Sequence, residues 1–371
     1  MVKARAVRVT RRTAMLGAAA GAAAGGLVPR GAFAATPGMA DFERAAAYSR
    51  DRGGVSLLAA IGGEVVFERY ENGTDPQKPV HMHSATKSFW GVAAAAMVED
   101  GLLAIDEPAT QTLPEWKADP VRARITLRHL LNLSSGLKED IPKLQGNRRR
   151  ETWAPDKYAY AITLPCESEP GSTFRYGPSH FYALGEIFKR KLASRGQDPL
   201  AYLEARILRP IGLEYGEWVR DDAGNPHIPN GCFITARNWL KLGELVRLEG
   251  EWEGRQIVPR DLLAACFAPS TANPGYGLTW WLNFQNGFGT TDMQAPPPGA
   301  KGGFQYHGGY TDLAGALGAG RNGLYVIPSL DLVIVRQIDL ESLSDEDRRA
   351  SQSPGRRFSE AGFFAALFDG A

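Results

Sequence analysis

Cysteine is scarce in this sequence: Cys166, Cys232 and Cys266 are the only three in a chain of 371 residues. Three thiols cannot build the disulfide framework that staples small secreted domains, so the hydrophobic core has to hold the fold. They read as three buried free thiols, with a single Cys166–Cys232 bridge as the alternative. An excess of one charge is missing too, with 42 Lys and Arg against 41 Asp and Glu. Six of the basic groups (Lys3, Arg5, Arg8, Arg11, Arg12, Arg30) lie in the first 34 residues, which hold no acid; the remainder has 36 basic residues against 41 acidic ones. That balance excludes the basic footprint of a nucleic-acid-binding protein. Beyond residue 34 no stretch approaches the about 20 apolar residues that span a bilayer. Metal-ligand spacing is also absent. His81, His83, His129, His180, His227 and His307 are scattered, and His81 and His83 share a face only in an extended chain, with no carboxylate beside them in sequence. Gly318-x-Gly320 lacks the strand-to-helix context of a nucleotide loop.

What is present begins with an address. Thr10-Arg11-Arg12 precedes the Ala/Gly-rich apolar stretch Ala14 to Val28, and Ala32-Phe33-Ala34 fits a small-residue cleavage site. Together these match a twin-arginine export signal over residues 1–34. The expectation is a mature chain beginning near Ala35, delivered to the periplasm or the exterior without stable membrane insertion. The 44% hydrophobic and 22% charged content suits a globular domain with a sizeable core.

Periodicity gives the organisation. Helical spacing covers Met39 to Arg52, Ser84 to Asp100, Thr126 to Leu133, Phe181 to Leu192, Pro199 to Leu208, Ala236 to Leu248 and Phe358 to Phe368. Val55 to Ala60 and Glu64 to Tyr70, split by Gly62-Gly63, read as a β-hairpin. Strand character returns at Leu324 to Ile327 and Leu332 to Val335. Strands at both ends with helices between them predict an α/β (α+β) domain whose termini share one sheet. Its α/β part covers about 35–110 and 265–371, and a helical part about 111–264. A site at their junction is the default expectation.

Ser84-Ala85-Thr86-Lys87 stands where a loop enters an Ala-rich helix. On a helix, residues i and i+3 lie on one face, so the lysine amine can reach the serine hydroxyl. That hydroxyl is a weak nucleophile until a base takes its proton. First-turn N–H groups, unpaired within the helix, suit an oxyanion. The bland reading is an N-capping serine with an exposed lysine. In Glu169-Pro170-Gly171-Ser172-Thr173-Phe174-Arg175-Tyr176, a turn leads to a tyrosine just before a helix. A phenol beside an ammonium such as Lys87 is expected to have a lowered pKa and to serve as a base. Its bland reading is a half-buried core tyrosine. Trp280-Trp281 fits either a pocket wall or core packing.

The chain resembles the class C β-lactamases, D-amino-acid peptidases and related esterases and amide hydrolases, over roughly residues 40 to 340. His83-Ser84-Ala85-Thr86-Lys87-Ser88-Phe89 looks like their nucleophile segment, and Gly101-Leu102-Leu103-Ala104-Ile105-Asp106-Glu107-Pro108 like the segment after that helix. Ile125 to Leu137, with Leu130-Leu131 ahead of Ser134-Ser135-Gly136, resembles the paired-leucine hallmark. Tyr176 takes the Tyr-x-Asn position, with Gly185 at the expected distance beyond it. The resemblance implies a penicillin-recognising serine hydrolase fold, an antiparallel sheet flanked by helices plus a mostly helical domain. It implies Ser84 as nucleophile, Lys87 and Tyr176 as proton handlers, and no metal or organic cofactor. The implied substrate is a small ester or amide cleaved through a Ser84 acyl-enzyme. The alternatives are a β-lactamase or D-amino-acid carboxypeptidase, or a penicillin-binding sensor without turnover.

Departures from the pattern bear on substrate. Tyr-x-Asn is Tyr176-Gly177-Pro178, so the asparagine amide is lost, with Ser179 as a partial substitute. Lys-Thr-Gly has no literal copy. One alignment puts it at Ala316-Leu317-Gly318, which makes the N–H groups of Ser84 and Ala319 the oxyanion hole; the rival uses His307-Gly308-Gly309. Either way the lysine for a substrate carboxylate is absent, leaving Arg321 or His307 to replace its charge.

Overall fold

The computed structural model describes residues 36–145, 153–283, 310–344, 346, 353 and 357–369. The twin-arginine segment and His307 lie outside the described residues. The chain enters through helix α1 (Met39–Arg50), then the antiparallel pair β1 (Ser56–Ile61) and β2 (Glu64–Tyr70). Gly62 and Gly63 both take positive φ in the connecting turn, the conformation a tight hairpin needs. A short strand β3 (Val80–His81) leads to a 3₁₀ turn over His83–Thr86 and to helix α2 (Lys87–Glu99), whose Ala93–Ala96 run favours helix and whose residues Lys87 to Met97 are all buried.

The middle of the chain is mostly helical: α3 (Leu127–Leu131), α4 (Ile141–Leu144), α5 (Lys157–Ala161), α6 (Ser179–Leu192) and α7 (Pro199–Leu203). Side-chain caps from Thr126, Asp140, Asp156 and Asp198 open four of them. The helix expected over Pro199 to Leu208 stays α-helical only to Leu203 and widens to a π turn over Glu204–Leu208. Pro210 has no N–H to continue the ladder, and the Arg209 amide reaches back five residues to the Glu204 carbonyl at 2.9 Å. Strands β4 (Glu217–Trp218) and β5 (Cys232–Ile234) follow; β5 pairs with both β3 and β4, forming a small sheet that sequence periodicity did not announce because its strands are two or three residues long.

Helix α8 (Ala236–Arg247), a small hairpin β6–β7 (Glu251–Trp252, Arg255–Gln256) and α9 (Arg260–Ala264) lead back to the main sheet. There β8 (Trp281–Leu282), β9 (Ala314–Leu317), β10 (Gly323–Ile327) and β11 (Leu332–Gln337) complete six antiparallel strands in the order β2-β1-β11-β10-β9-β8. The sheet therefore joins both ends of the chain through β1 and β11, registered from Ser56 opposite Gln337 to Ile61 opposite Leu332. Side chains alternate between its faces: Leu324 and Val333 meet α8, while Tyr325 meets Phe363 and Phe364 of α10 (Glu360–Phe368). Cys166, Cys232 and Cys266 are all free thiols, with Cys166 only half-buried.

Candidate active site

The expected helix start at Ser84 is a tighter object. His83 sits in the left-handed region at φ 52°, uncommon for a side chain with a Cβ, and Ser84 occupies the 3₁₀ turn before α2. The turn is fixed from both sides: the Thr86 hydroxyl donates to the His83 carbonyl at 2.7 Å, and the Met82 amide donates to the Cys232 carbonyl of β5 at 2.9 Å. Ser84 stays partly exposed there. Neither part of the bland reading holds. Ser84 is not the capping residue of α2, and Lys87 is 1% exposed.

Lys87 points into the protein. Its Nζ donates to the Pro229 carbonyl at 3.0 Å and lies 5.0 Å from the Tyr176 ring centroid and 5.3 Å from that of Phe181. Among the described residues it has no ion pair. Burial disfavours its ammonium and brings the pKa down from 10.5 to about 7, against a smaller opposite pull from the Glu139 carboxylate.

Tyr176 reverses an expectation. Its pKa is not lowered but pushed up to about 12, because burial penalises the phenolate more than the Ser84 hydrogen bond and the Arg321 charge favour it. The ammonium that was to lower it is itself destabilised by burial, so no firm positive charge stands beside the ring. Tyr176 is thus a protonated phenol in contact with Ser84, and Lys87 the group able to accept a proton near neutrality. Trp281 stacks on Tyr176 with centroids 5.4 Å apart, and Phe174 and Tyr276 complete an aromatic box. Trp281 therefore supports the site, whereas Trp280 is fully buried.

The turn after β9 lies against the nucleophile turn. A Cβ on Gly318 would stand 2.0 Å from the Met82 carbonyl oxygen and 3.3 Å from the Ala85 amide nitrogen, so only glycine permits this approach. Among the described residues, β8 pairs with Ala314 and Gly315 only and no strand pairs with Ala316 and Leu317 on that side. Among the described residues, the N–H groups of Ser84 and Ala319 make no backbone hydrogen bond. This geometry places Gly318-Ala319 beside Ser84; the rival segment at His307 lies outside the described residues.

Two candidates for substrate contact are otherwise engaged. Ser179 is fully buried, and its hydroxyl donates to Glu139 Oε2 at 2.9 Å. Arg321 forms an ion pair of 3.1 Å with the buried Glu360 of α10, and its charge favours the Tyr176 phenolate. Glu139 itself was not singled out in the sequence. It sits just after the Ser-Ser-Gly-Leu segment with no motif of its own, and its partners are 40 residues away. His81 does have a carboxylate, Glu341 at 2.8 Å, supplied from beyond β11. Among the described residues, no cluster of three His, Cys, Asp or Glu side chains is placed to hold a metal ion.

The β-lactamase family pattern matches residues 37–350, most of the chain. The chain belongs to the β-lactamase family. It is a serine hydrolase of that family, related to esterases and amide hydrolases. Lovastatin esterase from Penicillium rubens is 30% identical over 155 residues, 36% of this chain and 38% of that protein. The 6-aminohexanoate-dimer hydrolase of Paenarthrobacter ureafaciens is 23% identical over 226 residues, 57% of each chain. The chain therefore covers less than two thirds of either relative. The octameric penicillin-binding protein homologue from Pyrococcus abyssi superposes with a TM-score of 0.62 at 19% identity, over 89% of this chain and 77% of that one. That likeness fixes the fold: an antiparallel sheet with helices, plus a helical region.

The close approach at Gly318 yields a test of the oxyanion alignment. A methyl group there has to push the Ala319 turn off Met82, so Gly318→Ala is expected to lower kcat/KM on an aryl ester by about 10²- to 10³-fold, the cost of one oxyanion donor. Folded Gly318→Ala protein with wild-type kcat/KM would assign the hole to another segment.

Proposed function

We propose that this β-lactamase-family hydrolase cleaves a neutral ester or amide through a Ser84 acyl-enzyme, with Lys87 as the base and Tyr176 as the acid. The observation that carries the reading is the buried Lys87 amine, its pKa brought down to about 7 and, among the described residues, with no ion pair, one turn from a partly exposed serine. The Nζ lone pair takes the Ser84 proton as Oγ bonds to the substrate carbonyl carbon, and the carbonyl oxygen becomes an oxyanion facing the Ser84 and Ala319 N–H groups. Collapse breaks the bond to the leaving group, which takes the Tyr176 proton; the Lys87 ammonium returns a proton to the phenolate. Water then repeats the sequence on the acyl-enzyme and frees Ser84. A protonated phenol of pKa about 12 suits the acid role and a neutral amine the base role. A module that binds without being acylated has no use for either.

The substrate preference rests on what the rim lacks. Pro178 offers no amide donor, Ala316 no ammonium, and Arg321 is paired with Glu360. A carboxylate-bearing β-lactam therefore finds no charge partner among these residues, whereas an uncharged ester needs none. Losing one charge-assisted contact costs about 1.5–3 kcal/mol, roughly 10- to 150-fold in selectivity. Short-chain aryl esters are expected to exceed a chromogenic cephalosporin in kcat/KM by at least that margin. A cephalosporin value equal to the best ester's would overturn the preference.

We also propose export by the twin-arginine route, on the strength of Thr10-Arg11-Arg12 and the apolar stretch behind it. Because a receptor reads the arginine pair rather than its charge, replacing Arg11-Arg12 with Lys-Lys is expected to leave full-length precursor in the cytoplasm. Normal processing and export of the Lys-Lys variant would point to the general secretory route.

A further inference from the structure

Lys87 and Glu139 grip the same turn from two sides. Residues Tyr176 to Phe181 run from the site tyrosine into α6, and Lys87 Nζ lies over the rings at both ends of that turn. Glu139 holds its middle: Oε2 accepts the Ser179 amide at 3.1 Å and the Ser179 hydroxyl at 2.9 Å, and Oε1 stands 3.1 Å from His180 Nε2. The carboxylate is 10% exposed, and Gly177 makes the room for it, since a Cβ there would lie 2.0 Å from its carboxyl carbon. A carboxylate desolvated to this degree, with neutral hydroxyl and amide donors on one oxygen, keeps its field inside the protein.

We infer that Glu139 is a positioning residue that sets the proton affinity of Lys87 electrostatically, through the Tyr176–Phe181 turn and without contact with substrate. This rests on Lys87 being the base. Lys87 meets the Pro229 carbonyl from the loop before β5 and the Tyr176 and Phe181 rings across the turn; Glu139, paired with His180, is the charged group that acts on it, and Arg321 acts from the β9–β10 turn on Tyr176. Of these, Glu139 is the one carboxylate whose charge bears on Lys87, and it favours the ammonium. The two pulls on Lys87 are thus opposed: burial lowers its proton affinity, and Glu139 limits how far it falls. Without Glu139 the amine stays neutral to lower pH, so the base remains available under more acidic conditions. Gly177, the middle residue of Tyr176-Gly177-Pro178, leaves open the flank that Glu139 fills.

The test follows the rate at which a fluorophosphonate probe labels Ser84 from pH 5 to pH 9, which needs a neutral base but no identified substrate. In wild-type protein the rate is expected to rise along an acid limb centred near pH 7. Glu139→Gln keeps an acceptor for both Ser179 bonds and removes the charge, so the limb should move down by about one pH unit. Normalised to its own plateau, the variant then labels about fivefold faster than wild type at pH 6. Gly177→Ala, which displaces the carboxylate by contact, should shift the limb in the same direction. A Glu139→Gln protein with a lowered melting temperature and an unmoved limb would make Glu139 purely structural and end the inference. A wild type with no limb near pH 7 would remove Lys87 as the base, a failure visible before any variant is made.

Discussion

The burial of one amine organises this molecule. Lys87 begins a helix that lies inside the protein, and its nitrogen exchanges water for a single carbonyl and two aromatic faces. The drop from 10.5 to about 7 corresponds to about 5 kcal/mol in favour of the neutral form. The sign follows from linkage. Between about pH 7 and 10.5 the unfolded chain binds the proton that the folded chain releases, so this residue's contribution to stability rises with pH across that window. Below about 7 the full penalty of a buried ammonium stands. Folding thus works against Lys87 under the conditions where its neutral amine is chemically useful, a cost the surrounding core has to offset.

The rest of the fold keeps separate stretches of chain in place around that amine. The nucleophile turn follows β3, the tyrosine precedes α6, and the Gly318-Ala319 turn joins β9 to β10. Asn322, fully buried, ties two of these together: its Nδ2 donates to the carbonyls of Ala319 at 3.1 Å and His81 at 3.3 Å, while its Oδ1 accepts the Ile338 amide at 3.0 Å. Behind it Arg336 donates to the carbonyls of Gly320 and Arg321 and stacks over Phe358 at 3.9 Å. A buried guanidinium persists where its donors are met, and this one binds the turn to β11 and, through Ser49 and Arg52, to the α1 end of the chain.

Much of this was legible in the residues. Hydrophobic period and Gly-Gly punctuation gave the hairpin, and Ser84, Lys87 and Tyr176 stood out because their order and spacing carry chemistry. Residue types alone could not give the electrostatics. Tyr176 was expected to be acidified by a neighbouring cation, but its pKa depends on how much water both groups lose, a property of packing. The helix at Ser84 was expected one turn too early because left-handed His83 and a 3₁₀ turn precede α2, just after β3 pairs with β5 about 150 residues away in sequence. Glu139 left no trace because its role depends on the absence of a side chain at Gly177. Ser179 and Arg321 were assigned outward roles from position, and each has a buried carboxylate partner that no local pattern reveals.

The neutrality of Lys87 is the claim on which the mechanism stands, and it can be read without any substrate. Lysine labelled with ¹³C at Cε reports its own titration by NMR, and Lys87→Arg identifies the resonance. The structure predicts a midpoint near pH 7 for Lys87. A Lys87 resonance that stays in its protonated position up to pH 9 would contradict the account and return the search for the base to Tyr176.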